Sequence, residues 1–339
     1  MNGAGDVGRG AWRGEPPDTG APGSSAALRG VVLSGTGGVW QVQVEDGRTL
    51  HTVLRGRLKL GESTTGASAR AQAYTPRPVL KLSVGDEVLV EPDARGDTWA
   101  ITEVLARRSQ LARRAPGGGF GERIVAANVD QVVIVFAAAR PAPHPRMLDR
   151  FLVIAEANQL AARVIINKVD LSGEEAAHER FVDYERAGYP VHYVSAKRGD
   201  GLDAVRAILG SRVSVFTGPS GVGKSSLLNA LFPGLGLRVG EISASVNKGR
   251  HTTVGARMVP LPEGGYVVDT PGLREVGMWA LPPQHLDACF PELRPELGRC
   301  RFADCTHTVE PECAVLEAVA RGAVSRARYE SYRRLREEL

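Results

Sequence analysis

The sequence predicts a multidomain protein. A small N-terminal β-barrel comes first, then an α/β domain on a parallel sheet with a phosphate-binding loop. A helical domain around a Cys/His cluster closes the chain. Three observations carry this expectation. Short alternating runs, broken by glycine and charge, fill residues 28–105. From Val129 onward the runs become continuously apolar and alternate with helical stretches. Beyond Pro282, three cysteines and a histidine crowd into one short segment.

Composition bounds the answer. At 339 residues the chain is long for one domain and comfortable for two or three. With 43% hydrophobic and 24% charged residues it reads as a soluble globular protein, and no membrane partner is expected. The longest apolar run, residues 132–139, is too short to span a bilayer. A net charge of +4 is compatible with a nucleic-acid partner without requiring one. Residues 1–27 are rich in glycine and proline and lack the apolar stretch of a signal peptide, so they read as a disordered tail of a cytoplasmic protein.

The elements follow in order. Residues 30–32, 39–44, 50–54, 87–90 and 98–104 have the length and alternation of barrel strands. Residues 61–75 are small and polar and read as a mobile insertion. A basic linker follows, with Arg107, Arg108, Arg113 and Arg114, and then becomes glycine-rich at 117–119. The barrel and linker are assigned residues 28–115, the α/β domain 116–280 and the helical domain 281–339. Within the α/β domain, strands are expected at 131–136, 163–166, 191–194 and 213–216. Helices are expected at 146–159, 173–187, 202–209 and 224–231. Apolar strands between helices describe a parallel sheet covered on both faces. From 282 onward the chain reads as helices around the cysteines, ending in a basic segment at 326–336.

The sharpest motif is Gly218-Pro219-Ser220-Gly221-Val222-Gly223-Lys224-Ser225-Ser226, which fits GxxxxGK[ST] between an apolar strand and a helix. Glycines let successive N–H groups turn toward a polyphosphate, and the helix N-terminus adds positive potential. Lys224 is expected to bridge the β- and γ-phosphates, and the Ser225 hydroxyl to ligate Mg²⁺. The base is chosen elsewhere. Asn167-Lys168-Val169-Asp170 follows the strand at 163–166. A carboxylate at Asp170 can accept from N1–H and the 2-amino group of guanine, donors that adenine lacks in that arrangement. Asn167 suits N7, and the Lys168 stem can cover the base. Ser195-Ala196-Lys197 follows the next strand, with the Ala196 N–H placed for guanine O6.

Asp269-Thr270-Pro271-Gly272 ends the apolar run at 266–268. Asp269 can hold Mg²⁺ through water, and the Gly272 N–H can sense the γ-phosphate. Gly249-Arg250-His251-Thr252-Thr253 lies between. A threonine there, Thr253 in preference to Thr252, can complete the Mg²⁺ shell when GTP is present. Leu273 stands where many GTPases keep a water-orienting glutamine, so low intrinsic turnover is expected and His251 is the candidate to orient the water. The motif order is unusual. Small GTPases place the phosphate loop first and the guanine motifs last, whereas here the guanine motifs precede it and DTPG comes last. The parallel sheet is still satisfied if only the chain cut has moved, a circular permutation that makes the strand at 131–136 the first of the domain.

Cys300, Cys305, His307 and Cys313 supply three thiolates and an imidazole, a closed tetrahedral set that favours structural Zn²⁺. Cys289 falls outside this spacing and reads as a buried core residue.

Taken with Arg108-Ser109-Gln110-Leu111-Ala112-Arg113 and Ala127-Asn128-Val129-Asp130, these motifs make the chain resemble the ribosome small-subunit-dependent GTPase A family. The resemblance implies an N-terminal OB-fold, a permuted GTPase domain and a zinc-binding helical domain. It also implies hydrolysis of GTP to GDP and phosphate during late assembly of the small ribosomal subunit, by a monomer whose partners are that subunit and its rRNA. It supports His251 as the water-positioning residue. The tail and the 61–75 insertion are longer than the family pattern. Arg55, Arg57, Lys59 and the linker arginines are the candidate RNA phosphate contacts. A second reading is a GTP-dependent RNA-binding module in which hydrolysis is incidental, and turnover with and without small subunits separates the two. A nucleotide-independent scaffold is the third, and the intact phosphate loop speaks against it.

Overall fold

The computed structural model describes residues 27–55, 82–93, 98–114, 122–237, 256–269 and 281–339. Five strands close the N-terminal barrel: β1 (Leu28–Thr36), β2 (Val39–Val44), β3 (Thr49–Leu54), β4 (Glu87–Pro92) and β5 (Trp99–Val104). Their order is β1-β2-β3-β5-β4, antiparallel except where β3 meets β5. This is the five-stranded OB architecture. Alternation sends Val32, Val42, Val88, Val90 and Ile101 inward. It sends Val31 and Leu33 outward, into a core shared with the α/β domain.

The stretch read as a linker contains regular structure. β6 (Gln110–Arg114) pairs antiparallel with β7 (Glu122–Ala127). Leu111 and Ala126 face each other across this hairpin, and both are buried. Leu111 of β6 with Val125 and Ala126 of β7 seats the hairpin on the shared core, and so few apolar side chains are hard to see as strands in a basic, glycine-rich segment. A boundary between residues 115 and 116 falls between the two strands.

The central sheet has the order β10-β9-β8-β11-β13-β12. Its strands are β8 (Gln131–Ala137), β9 (Ala161–Asn167), β10 (Val191–Tyr193), β11 (Val213–Thr217), β12 (Arg257–Pro260) and β13 (Tyr266–Asp269). All neighbours are parallel except the β12 edge. Every residue of β8 is buried. Val132, Ile134 and Phe136 lie in the core that also holds side chains of α1 (Pro145–Ala157) and α3 (Glu174–Arg186). Val133, Val135 and Ala137 meet α4 (Leu202–Leu209) and α5 (Lys224–Leu231) on the other face. A short helix, α2 (Val169–Ser172), precedes α3. Strand order reverses between β8 and β11, and the loops leaving their carboxyl ends form the crevice where open α/β sheets bind ligands.

From 281 onward, regular α-helix appears only as α6 (Ala314–Ala320) and α7 (Arg326–Glu337). The residues before Cys313 form 3-10 turns instead of the expected helices. Five prolines between 282 and 311 explain this, since each removes a backbone donor.

Two seams join the parts. Asp86, fully buried, accepts two bonds from Arg107, at 2.6 and 2.8 Å. Nearby, Asn128 Nδ2 donates to the Gly85 carbonyl. At the other seam Arg328 of α7, 3% exposed, donates to Asp149 of α1 and to Glu292 at 2.7 Å. Its guanidinium lies 4.7 Å from the Phe290 ring centre. Burial opposes the charge, but the Asp149 and Glu292 carboxylates outweigh it and raise the Arg328 pKa.

Candidate functional site

The phosphate loop links β11 to α5, at the carboxyl edge of the sheet beside β8. All three of its glycines have positive φ, and at two of them a side chain also has no room. Gly218 has φ +135°, and a Cβ there would lie 2.1 Å from the Val135 carbonyl oxygen of β8. Gly223 has φ +95°, and a Cβ would lie 2.5 Å from the Asn167 amide nitrogen. Lys224 Nζ folds back to donate to the Gly218 and Pro219 carbonyls at 2.7 and 2.8 Å, which rigidifies the loop. Lys224, Ser225 and Val222 are buried, whereas Ser220, Gly221 and Ser226 face solvent.

Asn167 joins three loops. Its Nδ2 donates to the Val222 carbonyl of the phosphate loop at 3.0 Å. Its Oδ1 accepts from the Lys168 N–H at 2.8 Å and from the Ala196 N–H at 3.1 Å. An amide nitrogen has a second hydrogen, so a bond to guanine N7 remains compatible with this arrangement. The Ala196 N–H, expected at guanine O6, is engaged by Asn167. Asp170 accepts the Ser195 hydroxyl at 2.7 Å, which orients its carboxylate. Val169 is buried beneath this loop and Lys197 is exposed.

Lys168 sits in the left-handed region at φ 65°. Its Nζ donates to the Gly221 carbonyl at 2.6 Å and to the Arg140 carbonyl. Burial lowers its pKa, and Asp170 counteracts this in part. Sequence reasoning missed Arg140 and the loop after β8 altogether. The contact uses a backbone carbonyl, so no side-chain motif marks it. The available signal was position, since this loop also leaves the carboxyl end of a central strand.

Asp269 ends β13, opposite Phe216 in the parallel pairing with β11, which sets it beside the start of the phosphate loop. Gly249 to Thr253 and Thr270 to Leu273, including His251, Thr252, Thr253 and Gly272, lie outside the described residues, as do Arg57, Lys59, the 61–75 insertion and residues 1–26. Arg55 pairs with Glu91 at 3.0 Å.

Cys300, Cys305, His307 and Cys313 come together, their ligand atoms all within 4.8 Å of one another. The individual edges are informative. Cys300 and Cys313 sulfurs are 3.8 Å apart, and His307 Nδ1 is 3.5 and 3.4 Å from them. A tetrahedral ion with bonds of about 2.3 Å to sulfur and about 2.05 Å to nitrogen has edges of about 3.8 and 3.5 Å. These three ligands therefore match the edges of a tetrahedral site, and Cys305 Sγ lies within 4.8 Å of each to supply the fourth donor. His307 Nε2 faces Asp287 at 3.4 Å, a carboxylate placed to fix the ring orientation. Asp287 stands twenty residues before His307, so motif spacing does not reveal it. Cys289 is 5% exposed, lies outside the cluster, and burial pushes its thiol up to about 12.

Comparisons with known proteins agree with this geometry. A family model described as RsgA GTPase matches residues 104–279. The chain is 58% identical to the small ribosomal subunit biogenesis GTPase RsgA of Gemmatimonas aurantiaca, over 93% of this chain and 98% of that one. It is 40% identical to the protein of the same name from Moorella thermoacetica, over 90% and 95%. Among solved structures it is similar to YjeQ from Thermotoga maritima, with TM-score 0.73, 35% identity, and coverage of 93% and 99%. It is also similar to YloQ, described as a circularly permuted GTPase, with TM-score 0.69, 28% identity, and coverage of 92% and 95%.

Proposed function

This chain belongs to the RsgA GTPase family, and we propose that it hydrolyses GTP to GDP and phosphate in the biogenesis of the small ribosomal subunit. The observation that carries the reading is Asn167, whose one amide ties the phosphate loop, the NKVD loop and the SAK loop into a single guanine-nucleotide site.

In this reading each motif residue carries a role. Asp170, oriented by Ser195, accepts from N1–H and the 2-amino group of guanine. Asn167 donates its second amide hydrogen to N7, and Lys168 and Lys197 flank the base. The N–H groups of residues 220–226 surround the phosphates, and Lys224 leaves its two carbonyls to bridge the β- and γ-phosphates. Ser225 and Thr253 would hold Mg²⁺, with Asp269 supporting it through water. When bound, that ion neutralises charge developing on the phosphate oxygens. The Gly272 N–H registers the γ-phosphate. His251 orients the attacking water, since Leu273 has no polar atom for the task.

Zn²⁺ is the ion best matched to three thiolates and an imidazole, and with four protein ligands it is structural. The domains act as a barrel at 28–115, a GTPase unit at 116–280 and a zinc unit at 281–339. The protein works as a cytoplasmic monomer, with rRNA meeting the barrel and its arginines. No helix among the described residues is long and apolar enough to cross a membrane.

The test is GTP turnover with purified small subunits, large subunits and neither. Stimulation by small subunits alone is expected. Equal rates in all three would leave GTP binding without the partner and sink the reading. Single-turnover hydrolysis by His251→Ala should lose about 10²–10⁴-fold of the stimulated rate while GTP affinity holds. Equal stimulated rates would remove His251 from catalysis.

A further inference from the structure

The β12–β13 hairpin occupies a particular place in the chain. Thr253 precedes Arg257, the first residue of β12, by four positions, and Thr270 follows Asp269, the last residue of β13. Both segments assigned to sensing GTP are thus covalently continuous with one short hairpin. Its other end meets the barrel. A cleft of about 470 Å³ separates them, lined by Gln43, Glu45 and Glu87 on the barrel side and by Pro260, Pro262 and Tyr266 on the hairpin side.

Among the described residues, side chains of both hairpin strands reach across this boundary. Tyr266 donates its hydroxyl to Gln43 Oε1 of β2 at 2.9 Å. Met258 of β12, 1% exposed, lies in the same core as Leu33 of β1 and Val84. Burial raises the Tyr266 pKa, so the phenol stays a donor. Strand alternation then does the rest. Tyr266 and Val268 face the core shared with the barrel, and Val267 faces the core beneath the phosphate loop. With four residues, β13 is only about 10 Å from Tyr266 to Asp269, too short to absorb a displacement by bending.

We infer that the barrel is coupled to the nucleotide site through this hairpin, with Gln43 acting as a positioning residue for the strand that carries Asp269. The inference rests on the GTPase reading above. When the barrel is seated on its partner, Gln43 fixes Tyr266, and the strand holds Asp269 in the hydrolysis-competent position. Linkage makes the effect reciprocal, so the GTP state must in turn favour the seated barrel.

The test uses the full-length protein as wild type, Tyr266→Phe, Gln43→Leu and the double variant, each with and without saturating small subunits. Tyr266→Phe keeps the ring and removes only the hydroxyl. Intrinsic turnover and GTP affinity should stay within about twofold, whereas the stimulated kcat should fall about fivefold, the worth of one neutral hydrogen bond. The double variant should fall no further than either single one. The preference of small subunits for the GTP-analogue form over the GDP form should also shrink. Hydrogen exchange in β2 should respond to nucleotide in the wild type and lose that response in Tyr266→Phe. Unchanged stimulation, or an intrinsic rate that falls in parallel, overturns the coupling. A wild type that small subunits do not stimulate overturns the functional reading and this inference with it.

Discussion

A left-handed backbone at a residue with a long side chain persists only where its surroundings hold it. At Lys168 the Gly221 and Arg140 carbonyls do so, and the conformation turns the chain sharply enough to bring Asp170 under Ser195. Base choice at this site therefore comes down to one oriented carboxylate. Asp170→Asn is expected to weaken GTP binding by about 10²-fold, the worth of two charge-assisted bonds, and to gain xanthosine triphosphate, whose carbonyl accepts from the new amide. Titration of both nucleotides checks it, and an unchanged preference for GTP would remove Asp170 from the base contact. A second residue governs response to acid. His192 Nε2 is buried on β10 without a hydrogen-bond partner among the described residues, and burial, with Arg163 nearby, lowers its pKa. The unfolded chain then takes up a proton near pH 6.5 while the folded chain does not, so stability present above 6.5 is lost as pH falls below it. His192→Asn should flatten that acid limb in urea midpoints measured from pH 7.5 to 5. Parallel curves for variant and wild type would place the titrating group elsewhere.

At the scale of elements, what the sequence reveals depends on how local the contact is. The phosphate loop and NKVD are contiguous, each following an apolar strand, and the strands β8, β9 and β11 fall within a residue or two of their expected bounds. The β6–β7 hairpin and the 3-10 turns before Cys313 were not legible, the first because only a few small apolar side chains carry it, the second because proline forbids the helix that composition invites. Helix α7 shows the same limit most clearly. Its five arginines read as one basic face, yet Arg328 is buried, and its partner Asp149 is 179 positions away. No local pattern distinguishes Arg328 from Arg333 or Arg334. Removing it should be severe for that reason. Arg328→Ala leaves Asp149 and Glu292 without their cation and is expected to cost about 3–5 kcal/mol, whereas Arg328→Met combined with Asp149→Leu and Glu292→Leu should recover much of that loss. Thermal unfolding of the two variants decides the matter. If the triple variant is as unstable as Arg328→Ala, packing rather than the unpaired charge sets the cost.

For the whole molecule, the two seams differ in kind. The barrel shares a continuous apolar core with the α/β domain, through Leu33, Val84, Leu111 and Met258. The C-terminal unit meets the α/β domain through the Arg328 cluster and Val153, and its own core is small. A unit of about 60 residues rarely holds together on apolar burial alone and needs a metal or a neighbour. Here the cysteine loop supplies the first requirement and α7 connects it to the second. Tyr329 donates its hydroxyl to the His307 carbonyl and Tyr332 donates to the Thr306 carbonyl, at 2.9 and 2.8 Å, so the ligand loop lies directly on the helix that carries Arg328. Loss of the metal should therefore loosen the loop and then α7, while the central sheet, held by separate cores, stays folded. We expect one Zn²⁺ per chain by elemental analysis, and its loss on chelation or in Cys305→Ala. Hydrogen exchange should then rise across residues 300–335 and remain slow in β8, β9 and β11, and GTP affinity should be retained. The same variant should show a second, lower unfolding transition in calorimetry. Stoichiometric loss of zinc with α7 still protected would mean that the loop and helix hold their shape on packing alone, and the cluster would need a role other than structural support.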